Sequence, residues 1–120
     1  MNDQHAGGYL PGVYLALRAS YPDVAGAYDA LAEACHAAGP LTLPEQRLVK
    51  LGIAIGLSSE GAVRSHVRRG LEEGMSAEAL LHAVVLAVPT AGFPATAAAY
   101  GWAREVLEAA DDANDGGATR

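Results

Sequence analysis

Residues 44–74 read PEQRLVKLGIAIGLSSEGAVRSHVRRGLEEG, and this stretch spells two helices joined by a tight turn. Pro44 suits the first turn of a helix, where its missing N–H is not needed. The helical pattern runs to about Leu57. It is polar at first through Glu45, Gln46, Arg47 and Lys50, then carries no polar side chain from Leu51 to Leu57. Its last two turns are therefore expected to be surrounded by protein. Ser58 or Ser59 is placed to cap the second helix, with Glu60 near the positive end of its dipole. Gly74 stands where helices commonly stop.

The flanks repeat the same punctuation. Upstream, Pro11 opens a short helix over Val13 to Ala19, and Tyr21-Pro22-Asp23 starts another that ends at Gly39-Pro40. Val24, Tyr28, Leu31 and Cys35 fall at spacings of four, three and four, one stripe of that helix. Downstream, Ser76 caps a helix running to about Val88, before Pro89, and a last helix spans roughly Pro94 to Ala110. No segment alternates with period two. The fold class is all-α, with an N-terminal arm at 1–8, a helical domain over 9–110 and a disordered acidic tail at 111–120.

Composition narrows the function classes. Of 120 residues, 51% are hydrophobic but only 6% aromatic, so the core must be built from Ala, Leu and Val, and Ala and Leu favour helix. The net charge is −6, the wrong sign for neutralising phosphates, so no nucleic-acid partner is expected. No apolar run reaches the roughly 18 residues of a membrane span. The first residues lack the basic and apolar segments of a signal peptide, and a cytoplasmic location is expected. A single cysteine, Cys35, excludes an intrachain disulfide and makes a cysteine metal site improbable. A lone cysteine of this kind is expected to be a small apolar core residue. The segments Leu51–Leu57 and Leu80–Val88 hold more apolar surface than one small helical domain usually hides, which points to a homo-oligomer.

Several blocks in order carry a resemblance. They are Pro22-Asp23-Val24-Ala25-Gly26-Ala27-Tyr28, Gly39-Pro40-Leu41, Arg47 through Gly56, Ser59 through Arg69, Gly74, and Pro89-Thr90-Ala91-Gly92-Phe93-Pro94-Ala95. Together, over about Tyr21 to Val106, they resemble the carboxymuconolactone decarboxylase family, which includes the alkylhydroperoxidase D-like proteins. The resemblance implies an all-α fold whose central helical hairpin packs into trimers or hexamers. Peroxidase-type members carry Cys-x-x-Cys at the start of a helix, a His four residues after the second Cys, and a Glu on the preceding helix. Here those positions hold Ser59, Ala62, His66 and Arg47. Peroxide reduction through this motif needs a thiolate attacker and a resolving thiol, so it is not expected of this chain. The decarboxylases also lack the paired cysteines, and their chemistry implies acid–base groups acting on a lactone carboxylate without a metal or organic cofactor.

The residues themselves fit such a site. On a helix, Ser59, Ala62, His66 and Arg69 follow spacings of three, four and three and share one face. A carboxylate near Ser59 would meet the free N–H groups of the helix start. His66, about two turns along, would act as general acid or base, since imidazole titrates near neutral pH. The plainer readings stand beside these. His66 also suits a core histidine bonded to a carbonyl, and Ser59 a simple helix cap. Glu60–Arg64, Arg68–Glu72 and Arg69–Glu73 suit four-residue surface pairs. His82 falls where relatives often carry an acidic residue, so it either faces the cavity or is a satisfied structural histidine. Arg47 and Lys50 lie one turn apart and either face the same cavity or reach solvent. The candidates are thus His66 as the catalytic group and Ser59, Glu60, Arg69, His82 and Arg47 as substrate-binding groups. No metal ligand set is expected, since His66 and His82 lack the spacing of a zinc helix. The expected partner is a small carboxylate or lactone. The second reading is a non-catalytic oligomeric protein that binds such a molecule.

Overall fold

The computed structural model describes residues 9–119, and the arm expected at 1–8 lies outside the described residues. Among the described residues there are seven helical segments and no strand. These are α1 (Tyr9–Ser20), α2 (Pro22–Ala37), α3 (Leu43–Gly56), α4 (Glu60–Glu72), α5 (Ala77–Val85), α6 (Val88–Ala91) and α7 (Phe93–Thr119). They group into two compact units: α1 and α2 in a unit that ends at Thr42, and α3 to α7 in a unit that starts at Leu43. Helix α7 continues beyond Ala110 through Thr119, across most of the segment expected to be a tail.

In the first unit α2 opens with Pro22 in its first turn. Arg18 of α1 reaches Asp29 of α2 with two hydrogen bonds of 3.0 and 2.5 Å and also donates to the Tyr14 hydroxyl at 2.7 Å. Only Ala25 of α2 is buried, and the stripe Val24, Tyr28 and Leu31 is about 60% exposed. Cys35, expected in a core, is also exposed. The physical reason is scarcity of neighbours: inside its unit α2 has only α1 to lie against.

The second unit holds the main core. Leu51 and Ile55 of α3, Val63 and Val67 of α4, and Leu80 and Val84 of α5 are fully buried, and Ala99, Ala103 and Leu107 of α7 close the cluster. The residues are aliphatic and small, as the composition required. Two backbone turns set the geometry of the α3–α4 hairpin. After α3, Ser59 N–H donates to Ala54 O and Ser58 N–H to Ile55 O, each at 3.0 Å. Ser58 takes φ +53°, a left-handed position that glycine fills more easily. After α4, Met75 N–H donates to Gly70 O (2.9 Å) and Gly74 N–H to Leu71 O (3.0 Å), with Gly74 at φ +94°. Both are Schellman-type endings, which return the chain sharply. Gly70 also lets α4 lie against α5, because a Cβ there would stand 2.7 Å from Leu80 Cδ2.

Two expectations are corrected. The apolar end of α3 is half covered: Leu51, Ala54 and Ile55 are buried, but Ile53 is 57% and Leu57 73% exposed. Within this unit α3 has neighbours on one side only. The helix from Ser76 also ends earlier, at Val85, and α6 starts separately at Val88. In one continuous helix the Pro89 ring would clash with the Val85 carbonyl.

Candidate functional site

Between α3 and α4 lies an open cavity of about 190 Å³ lined by Lys50, Ile53, Ala54, Leu57, Ser59, Ala62 and His66. Three of the four positions read as one helical face are thus brought to a single cavity: Ser59 at the start of α4, Ala62 one turn in, and His66 mid-helix. Ser59 occupies the N-cap position, yet its side chain makes no capping hydrogen bond. Ser76, by contrast, caps α5 in full, its Oγ accepting from Ala79 N–H at 3.0 Å.

Behind the ring lies a polar cluster. Arg47 is only 8% exposed and donates from Nε to Glu73 Oε1 (3.0 Å) and from Nη2 to Glu73 Oε2 (2.6 Å). Its remaining terminal nitrogen, Nη1, stands 2.8 Å from His66 Nδ1. A guanidinium has donors and no acceptor, and it does not lose its proton in proteins. Nδ1 of His66 therefore accepts. Glu73 is available for this because the Gly74 turn ends α4 there, leaving Glu73 at the C-cap beside the start of α3. The two-pronged pair is the geometry in which arginine binds carboxylates best.

Electrostatics follow from the cluster. Burial first, then the positive charges of Arg47, Arg69 and Lys50, pull the His66 imidazole down to about 4, against an opposite pull from Glu73. The ring is therefore neutral at pH 7. The hydrogen bonds from Arg47 hold the Glu73 carboxyl below its usual range, partly countered by burial.

The other candidates are placed differently. Arg47 does not line the cavity and is committed to Glu73 and His66. Arg69 is exposed and outside the lining, though its charge is felt at His66. The anticipated pair of Arg69 with Glu73 gives way to Arg47–Glu73. Glu60 binds Arg64 at 3.0 Å, and Arg64 also reaches Glu105 of α7 at 2.5 Å, so Glu60 belongs to a surface network. Arg68 and Glu72 stand 3.8 Å apart, a pair of the anticipated kind. His82 is exposed and outside the cavity lining. Lys50 is the cation that lines the cavity. Glu73 is the group that the sequence reading missed. Among the described residues, no three His, Cys, Asp or Glu side chains converge as a metal cage requires, and no helix is long and apolar enough to cross a membrane.

Ser59, Ala62 and His66 thus line one cavity of the α3–α4 hairpin. The model of the carboxymuconolactone decarboxylase family matches residues 22–105, well over half of the chain. The chain belongs to the carboxymuconolactone decarboxylase family. No curated protein and no solved structure matches it.

Proposed function

We propose that this member of the family is a cofactor-free acid–base enzyme acting on a small carboxylate, lactone or carbonyl compound. One observation carries the reading: a titratable ring, a cation and a hydroxyl (His66, Lys50 and Ser59) share one small cavity whose other walls are hydrocarbon. Lys50 and the first N–H groups of α4 suit an anionic group of the substrate. His66 exchanges a hydrogen bond or a proton with the reacting oxygen. A cavity of about 190 Å³ is smaller than the roughly 300 Å³ at which most ligand pockets begin, so the substrate is compact. Peroxide reduction by thiols is disfavoured, because the cavity holds Ser59 and Ala62 in place of cysteines, while Cys35 lies in the other unit. The proposal extends to a cytoplasmic homo-oligomer, trimer or hexamer, with no nucleic-acid partner.

The engagement of both Arg47 and Glu73 away from the cavity favours a second reading, a family member that binds a small molecule without turning it over. Turnover of a panel of small lactones and carboxylic acids separates the two. For any compound turned over, the His66→Ala variant, checked for unchanged helicity and binding, loses about 100-fold or more of kcat. Unchanged kcat in that variant sinks the role of His66. Binding without turnover by the unaltered protein leaves the second reading.

A further inference from the structure

We infer that Arg47 and Glu73 are a positioning pair that locks His66 as a neutral ring protonated at Nε2, so that it serves the cavity as a hydrogen-bond donor and not as a base. The inference rests on the reading of His66 as the reactive group, but its test uses no substrate. Three contacts carry it. Glu73 grips Arg47 by two prongs, at 3.0 and 2.6 Å, which fixes the plane of the guanidinium. That plane aims Nη1 at His66 Nδ1 from 2.8 Å. Two donors cannot face each other at that distance, so a proton on Nδ1 would break the contact. The ring's one proton then resides on Nε2, and the nitrogen left for the cavity donates.

The chemistry at the site changes accordingly. With its lone pair spent on Arg47, the ring has no basic nitrogen to offer a substrate C–H or O–H. What it offers is an N–H aimed at an oxygen that gains charge, as when a carboxylate leaves and an enolate forms, or when a lactone carbonyl is attacked. A reaction that begins with proton abstraction needs its base elsewhere. The charged groups that act on the ring agree with this assignment: Arg47 and Lys50 from α3 and Arg69 from α4 disfavour a second proton, and Glu73 alone among them favours one. The usual role of a second residue behind a histidine is the reverse. A carboxylate there accepts from Nδ1–H and frees Nε2 as the base. Interposing Arg47 between Glu73 and the ring inverts that polarity.

The test is ¹⁵N NMR of the side-chain ring nitrogens in the unaltered protein, with His66 assigned among the four histidines by its loss in His66→Gln. The expected spectrum has Nδ1 at the unprotonated extreme and Nε2 at the protonated extreme, unchanged from about pH 8 to about pH 5. A ring protonated at Nδ1, a fast mixture of the two forms, or a charged ring at pH 6 would overturn the inference. Arg47→Met, which keeps bulk and removes the donor, is expected to give a mixed ring whose titration midpoint rises by a pH unit or more. Arg47→Lys is expected to restore the Nε2-protonated form at least in part. If Arg47→Met fails to fold, the spectrum of the unaltered protein decides alone. A merely structural arginine would leave the ring's proton where chance put it, and a donor ring in a protein without turnover would sustain this inference while sinking the enzyme reading.

Discussion

His66 meets two effects of the same sign, loss of water and nearby positive charge, and both penalise its second proton. That penalty belongs to the folded state, because in the unfolded chain the ring titrates near its ordinary 6.5. The folded value of about 4 lies below it, so the unfolded chain binds the extra proton first. Stability linked to this residue is therefore complete above about pH 6.5 and is lost as pH falls toward about 4. Urea unfolding midpoints are expected to drop over that window, and the His66→Gln variant is expected to flatten the upper part of the drop. The lower part, nearer the carboxylate range, belongs to Glu73, whose depressed value makes it act in the same direction. A midpoint that does not change between pH 7 and pH 5 would show that the ring is not shielded as described. The sequence made His66, Ser59 and Ala62 legible because helical spacing alone sets them on one face. It could not reveal Glu73: the four-residue rule offered Arg69 as its partner, and only the fold brings Arg47, twenty-six positions away, to a distance of 2.6 Å.

The helices were legible from their ends. Pro22, Pro44, Ser76, Gly74 and Pro89 act through backbone chemistry that needs no knowledge of neighbours, and each lies at or next to an observed boundary. Burial was less legible, since an apolar run such as Leu51–Leu57 states what would prefer cover and not what is present to provide it. The two serine caps make the distinction measurable. Ser76 satisfies a backbone N–H, so Ser76→Ala is expected to cost about 1 kcal/mol of unfolding free energy. Ser59 makes no such bond, so Ser59→Ala is expected to cost well under half of that while weakening the binding of any anion the cavity holds. Equal losses in chemical denaturation would mean that Ser59 is a cap after all, and that its place in the cavity wall is incidental.

At the scale of the molecule, each of the two units taken by itself leaves hydrocarbon uncovered. Val24, Tyr28 and Leu31 of α2, Ile53 and Leu57 of α3, and Phe93 of α7 are all more than half exposed, which is unusual for a monomer. The proposed homo-oligomer would cover part of it. Sedimentation equilibrium is expected to give a mass three or six times the 12.3 kDa of one chain, and Leu31→Glu to lower it. A particle of one chain's mass at micromolar concentration would dismiss that expectation. The α3–α4 hairpin adds a constraint of its own. The turn through Ser58 ties one end, and the Arg47–Glu73 clasp laces the other. Ile53 and Leu57 line the cavity and are themselves more than half exposed, a greasy sill of the kind that a neighbouring chain would cover. In the proposed homo-oligomer, a neighbouring chain seated on those two residues would roof the hollow and narrow what reaches its histidine.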